Sequence, residues 1–248
     1  MKVIHFSWVM LLVLTLFVLG QSFRVQVVEG KDQERRSEQN RFRIIPVPAE
    51  RGLFYDSQGE ELVERIDTGR RYLYPEAFAH VLGYTGQADE EELVLFGVDL
   101  GSRVGKLGLE KEENGLLHGT DGGKVEEYSA TGERLRTLSE TKPTAGRSIQ
   151  LTLDKRLQLK AYDLLKEQDF PGSVLMSTVD GTMLTAVSYP SYNPNYFEVE
   201  GIEVDGKDQW TLIEELFEDE QMPMFFRAIG GVYPPASTFK IVTSIAAL

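Results

Sequence analysis

The 248-residue sequence contains no cysteine. That absence excludes a disulfide framework and any thiolate metal site. Histidine is nearly as scarce. His5, His80 and His118 are the only three, and their spacing fits no metal-ligand pattern. Each is expected to be a packing or surface residue, and neither a metal nor an organic cofactor is implied. Positive charge is also in deficit, with 26 Lys and Arg against 39 Asp and Glu and a formal charge of −13. A chain this acidic lacks the basic stripe that a nucleic-acid partner requires. Its charge says nothing about fold.

Long apolar runs are few, and the first opens the chain. Between Lys2 and Arg24 the only ionisable side chain is His5. A run of that length can cross a bilayer as a helix, with Trp8 near one interface. A cleaved signal peptide is the rival reading, because Val18-Leu19-Gly20 offers small or modest residues at a cleavage site. The charged stretch 29–40 then reads as an exposed juxtamembrane helix, and 41–48 as an extended strand closed by prolines.

The last stretch carries the chemistry. In Tyr233-Pro234-Pro235-Ala236-Ser237-Thr238-Phe239-Lys240 a serine and a lysine stand three positions apart at a helix start, followed by the apolar run 241–248. Residues i and i+3 share a helix face, so the Lys240 amine can reach the Ser237 hydroxyl. Serine is a weak nucleophile until a neighbouring base takes its proton, and a poorly solvated amine can be that base. On spacing alone, an ordinary buried helix with a capping serine and a snorkelling lysine is the favoured reading. The same S-x-x-K spacing recurs at Ser139-Glu140-Thr141-Lys142, where Pro143 turns Lys142 away from helical dihedrals. That copy is expected to be a loop without chemistry.

Context separates the two copies. Arg227-Ala228 leading to Tyr233-Pro234-Pro235-Ala236-Ser237-Thr238-Phe239-Lys240 resembles the nucleophile region of class B penicillin-binding proteins. Arg51-Gly52-Leu53-Phe54-Tyr55-Asp56-Ser57-Gln58-Gly59, His80-Val81-Leu82-Gly83-Tyr84-Thr85-Gly86 and Gly105-Lys106-Leu107-Gly108-Leu109-Glu110 are similar to stretches of the same family, in the same order. So are Leu117-His118-Gly119-Thr120-Asp121-Gly122 and Ala186-Val187-Ser188-Tyr189-Pro190-Ser191-Tyr192-Asn193-Pro194-Asn195. Three departures stand out. Ala236 replaces the family's glycine, Ser57-Gln58 replaces Arg-Asn, and only 60–79 stand where a long head insertion is usual.

The resemblance implies an α+β chain with three parts. These are an N-terminal transmembrane helix (1–24), a mixed α/β pedestal or dimerisation domain (25–145), and an incomplete serine transpeptidase domain of β-lactamase-like fold (146–248). It implies a D,D-transpeptidase acting on peptidoglycan stem peptides, with Ser237 as acyl-ester nucleophile and Lys240 as general base. β-Lactams would acylate the same serine. The bulk would lie outside the cytoplasmic membrane, beside glycan-polymerising and wall-assembly proteins. The family's Ser-x-Asn and Lys-Thr-Gly signatures do not follow Lys240. The chain is therefore expected to be the N-terminal part of a longer protein, inactive as it stands. A non-enzymatic wall-assembly scaffold and a β-lactamase or β-lactam sensor are the alternatives.

Several elements can be placed from local pattern. Ile149, Leu151 and Leu153 alternate as a strand, opening a new domain near Gly146. Asp154 caps a helix carrying Leu157, Ala161, Leu164 and Leu165. Asp180-Gly181 marks a hairpin between 173–179 and 182–188. The acid-rich stretch 193–223, with Glu198 among its acids, reads as a solvated excursion holding one short helix at 211–217. Arg51 and Asp56 are expected in an ion pair or a turn rather than in catalysis.

Overall fold

A computed structural model describes residues 2–24, 41–66, 69–98, 101–129, 131–199 and 201–247. The first half runs from helix α1 (Lys2–Phe23) through strands β1 (Phe42–Val47), β2 (Phe54–Tyr55), β3 (Val63–Ile66) and β4 (Gly69–Tyr72) to helix α2 (Pro75–Leu82). Strand β5 (Thr85–Gln87), helix α3 (Glu90–Phe96), strand β6 (Arg103–Gly105) and the short helices α4 (Gly108–Glu112) and α5 (Asn114–Leu117) follow. Next come β7 (Gly122–Tyr128), β8 (Arg134–Thr141), β9 (Ile149–Gln150), helix α6 (Lys155–Glu167) and the hairpin β10 (Gly172–Ser177) and β11 (Met183–Tyr189). A 3-10 turn (Pro194–Phe197), the paired strands β12 (Glu203–Val204) and β13 (Lys207–Asp208) and helices α7 (Gln209–Glu218), α8 (Arg227–Gly230) and α9 (Lys240–Ala246) follow. The charged stretch 29–40 lies outside the described residues.

Contacts divide the chain into two compact units, 1–48 with 121–143 and 49–120 with 144–248. In the first, β1, β7 and β8 form an antiparallel sheet with β7 central. Pro46 sits on an edge strand, where its missing N–H costs no ladder bond. The buried side chains of β7 are the acids Glu126 and Glu127. Cross-strand arginines neutralise them: Arg134 Nη1 lies 3.1 Å from Glu126 Oε1, and Arg136 Nε 2.7 Å from Glu127 Oε2. The second S-x-x-K copy is here. Ser139 and Thr141 belong to β8, with Ser139 opposite Val125. The first three residues of this copy form a paired strand rather than the expected loop, because ladder pairing with β7 continues to Thr141.

In this unit α1 has 22 helical residues with exposed apolar side chains from Trp8 to Phe23. Among the described residues, nevertheless, no helix is long and apolar enough to cross a membrane.

The second unit holds the apolar core. Leu53, Phe54, Leu62, Val63, Tyr72, Phe78 and Leu82 pack with Leu117, Leu153, Ala161, Tyr162 and Val187. Burying each large apolar side chain contributes about 1.5–3 kcal/mol. Strand β9 pairs in parallel with β2, Phe54 opposite Ile149. Residues 149–153 thus complete the sheet begun at Phe54. The N–H of Ser57 donating to Leu153 O extends the pairing. Asp154 caps α6 as its sequence requires, accepting from Arg156 N and Leu157 N. Leu157 and Leu164 nevertheless stay exposed, and Gln158, Ala161 and Tyr162 turn inward. Gln158 joins three elements: its Nε2 donates to Ala77 O at 2.8 Å and Ala186 O at 2.9 Å, and its Oε1 accepts from Ala186 N.

The β10–β11 turn differs by one residue from expectation. Gly181 N donates to Thr178 O, so Val179 and Asp180 are the central pair and Gly181 takes φ +91°. This is the longer hairpin loop in which a glycine follows a tight turn. The helix expected at 211–217 forms as α7, capped by Asp208, whose side chain accepts from Thr211 N.

A close approach explains two of the glycines. Gly83 and Gly108 have φ +78° and +58°. A Cβ on Gly83 would lie 1.7 Å from Leu107 O, and one on Gly108 would lie 2.7 Å from Gly83 N. Only glycine satisfies both the left-handed backbone and the missing space.

Candidate active site

Ser237 lies in a 3-10 turn, Ala236–Phe239, and Lys240 is the first residue of α9. Residues i and i+3 eclipse in a 3-10 turn, so the serine and the lysine fall on one side of it. The turn is held by Pro235 O, which accepts from Thr238 N at 3.1 Å and from the Thr238 hydroxyl. Lys240 N donates to the carbonyls of Ser237 and Thr238. Both Ser237 and Lys240 are exposed. Among the described residues no hydrogen bond joins the hydroxyl to the amine, and no element covers the pair.

Ala236 carries the conformational cost of this turn. Its φ is +47°, in the left-handed region. That region costs a non-glycine residue about 1–2 kcal/mol, and the family's glycine would occupy it freely. Ala236→Gly is therefore expected to raise stability by about 0.5–1 kcal/mol after glycine's extra unfolded-state entropy is offset. Urea unfolding measures this, and an unchanged or lowered midpoint would refute the strain assigned to Ala236.

The approach to the turn is a strap over residues 219–227. Arg227, 8% exposed, gathers its carbonyls. Its Nη1 donates to Met222 O at 3.1 Å and Phe225 O at 3.3 Å, and its Nη2 donates to Gln221 O. Met222 takes φ +47°, which lets the chain reverse. His80 of α2 meets the strap from below, its Nε2 2.8 Å from Pro223 O. The ring stacks on Phe226 at 5.4 Å and meets the edge of Tyr192 at 5.5 Å. Burial, with the Arg227 cation adding to it against the Pro223 hydrogen bond, pushes the imidazole down to about 4.

Residues 65–151 match the family described as Penicillin-binding Protein dimerisation domain, and 172–248 match the Penicillin binding protein transpeptidase domain. The chain is 38% identical over 189 residues to the peptidoglycan D,D-transpeptidase MrdA of Acinetobacter baumannii, covering 74% of this chain and 27% of that protein. The chain belongs to the class B penicillin-binding proteins. Pseudomonas aeruginosa PBP2, solved in complex with WCK 5153, is similar at TM-score 0.63 and 31% identity, over 83% of this chain and 42% of that one. Helicobacter pylori PBP2, solved in complex with MreC, shares the fold at TM-score 0.65 and 24% identity, over 83% and 52%. The chain spans between 27% and 50% of the length of the first curated relatives it matches.

In this penicillin-binding protein the family stretches converge on two buried carboxylates. The first is Glu110, fully buried. Its Oε2 accepts from Arg51 Nε at 2.8 Å and its Oε1 from the Tyr72 hydroxyl at 3.2 Å. Arg70 Nη2 lies 2.9 Å from Oε1 as an ion-pair contact, with the Arg70 Nη1 donating to Gly52 O. Neither Nη2 nor Nε of Arg70 completes a hydrogen bond among the described residues. Arg51 also donates to Asn114 Oδ1 and to Glu110 O. The structural role expected for Arg51 is therefore observed. Asp56 makes a turn, its Oδ1 accepting from Gln58 N and Glu60 N at 2.8 Å each.

The second carboxylate, Glu198, overturns its expected place among solvated acids. It is 2% exposed. Its Oε1 accepts from Thr85 N and Thr85 Oγ1 at 2.6 Å each, and its Oε2 lies 2.8 Å from Arg103 Nη2. Burial raises its pKa, and Arg103 and Thr85 pull the other way. The one signal available was its position directly after the aromatic pair Tyr196-Phe197. Phe197 stacks on Tyr84 at 3.9 Å and turns the chain inward. His80 is the packing residue expected; His118 is half-buried, and the His5 side chain lies outside the described residues. Among the described residues no His, Asp and Glu group is placed to hold a metal ion.

Proposed function

We propose that this chain carries the acylating half of a peptidoglycan D,D-transpeptidase, with Ser237 as nucleophile and Lys240 as general base. The Ser237 hydroxyl oxygen attacks the carbonyl of the penultimate D-Ala in a D-Ala-D-Ala terminus, and the Lys240 amine takes the hydroxyl proton. The proton passes to the leaving D-Ala nitrogen as the peptide bond breaks. An amine of a second stem peptide then attacks the ester, forms the cross-link and frees the serine. Backbone N–H groups, that of Ser237 among them, stabilise the oxyanion. A β-lactam enters the same sequence, and its ring-opened acyl group remains on Ser237. The observation that carries this reading is a serine and a lysine on one side of a single turn, within the stretch similar to transpeptidase domains.

The division of labour follows the family, with residues 25–145 as pedestal and 146–248 as catalytic part. Residues 1–24 are proposed as a single-pass anchor in the cytoplasmic membrane, the remainder lying on its outer side. Supporting the anchor, the sequence between Lys2 and Arg24 holds no ionisable side chain except His5. Partners would be wall-assembly proteins of the kind seen with the Helicobacter pylori protein, and glycan-polymerising proteins. The 248-residue chain by itself, with Ser237 and Lys240 exposed, is proposed to be inactive.

One labelling experiment tests these points together. The full-length protein in membranes is expected to take up a fluorescent penicillin stably, in a fraction that resists alkaline extraction, and Ser237→Ala is expected to stay dark. A label that survives Ser237→Ala sinks the assignment. A label that forms and is hydrolysed within minutes marks a β-lactamase, and a dark wild type marks a scaffold. Release of the protein by alkali removes the anchor.

A further inference from the structure

The nucleophile turn has little holding it from outside, which makes its last fixed points matter. Residues 232–240 are all exposed. Before them, among the described residues, two hydrogen bonds tie the strap and the short helix α8 that follows it to β11 and α2. Ala228 N donates to Ser188 Oγ of β11 at 3.1 Å. Pro223 O meets His80 Nε2 at 2.8 Å. Between these points the strap is rigid, because Arg227 binds three of its carbonyls and Phe225 N and Met222 N close successive turns.

The chemistry at His80 has one solution. A carbonyl oxygen has no proton, so Nε2 must carry the hydrogen and donate it. The Ser191 hydroxyl, 3.4 Å from Nδ1, gives its own proton to Glu76 O at 2.7 Å. The ring cannot swivel, since Phe226 covers one face and Tyr192 meets its edge. Helix α2, which carries His80, is itself bound by Gln158 at Ala77 O and by the Tyr192 hydroxyl at Ala79 O. The donor is therefore fixed in the core, and the acceptor sits on the strap that leads to Ser237.

We propose that His80 is a positioning residue for the nucleophile: its Nε2–H holds the Pro223 carbonyl, and through the strap it sets where Ser237 stands. The inference rests on Ser237 being the acylated residue. Without this bond the strap loses one of these two ties, and a misplacement of about 1 Å at a nucleophile can cost on the order of 100-fold in rate.

The test is the kinetics of acylation of the full-length protein by a fluorescent penicillin, resolved into non-covalent binding and the acylation step. His80→Phe keeps the aromatic packing and removes the donor. It is expected to slow acylation by about tenfold or more while leaving non-covalent affinity within about twofold. His80→Gln places an amide N–H near the former Nε2 and is expected to recover the rate to within about threefold of wild type. Equal rates for Phe and wild type overturn the proposal, as does a Gln variant as slow as Phe with an unchanged melting temperature. If the Phe variant does not fold, Gln against wild type decides, and a loss beyond about tenfold counts against His80. Failure of the Ser237 reading is distinguishable, because it shows as labelling of Ser237→Ala and does not depend on His80.

Discussion

Glu110→Ala is expected to cost about 3–5 kcal/mol, enough to leave the unit built from 49–120 and 144–248 marginal or unfolded. Glu110 is fully buried, and the side chains of its partners Arg51 and Arg70 are only 12% and 5% exposed. Removing the carboxylate strands two guanidinium groups inside the fold with no counter-charge, and neither can shed its proton. The Tyr72 hydroxyl loses its acceptor as well. Glu110→Gln keeps the shape and one acceptor oxygen but not the charge, and is expected to fall between wild type and alanine. Urea unfolding followed by tryptophan and tyrosine fluorescence gives the measurement. A loss below about 1 kcal/mol for alanine would show that the arginines find other partners, and that the cluster is not a keystone.

The second large effect is a dependence on pH. Burial holds the His80 imidazole at about 4, below its ordinary value of 6.5, so the folded state keeps the ring neutral. Between those two values the unfolded chain binds a proton that the folded chain refuses, so stability falls as pH drops through that window. The full loss, reached near pH 4, is about 3 kcal/mol. The charge facing the ring is Arg227, which opposes a second cation, and the neighbouring Tyr192 phenol is pushed up by burial and stays neutral. Glu198 works in the opposite direction, since its raised pKa makes folding less favourable as pH rises above the ordinary carboxylate range. The difference between wild type and His80→Gln removes that background. Its slope between pH 6.5 and 4 is the quantity to measure. A flat difference would mean that the imidazole is hydrated or charged in the fold.

What could be read from the sequence was what neighbours along the chain decide. Asp154 caps α6, Gly181 turns the hairpin and Asp208 starts α7, because each acts within a few residues of itself. The Ser237–Lys240 spacing was equally legible, as was the order of the family stretches. Long-range choices were not. Nothing within reach of Glu198 says that Arg103, 95 residues earlier, will draw it out of an acidic run and into the core. The pairing of 149–153 with β2 depends on the backbone meeting Phe54 across the fold. His80 could be read as a packing residue, but its grip on Pro223 spans 143 residues and leaves no local trace.

The bare contact of Gly83 with the Leu107–Gly108 backbone has a consequence for Glu110. Gly108 opens the helix that carries this carboxylate, so the seam works as a gauge that fixes how far the helix stands from the two arginines. Any side chain inserted there would wedge the helix outward and draw the anion from between its cations. Mutational drift in this protein should therefore leave that seam untouched, however freely the surrounding surface varies.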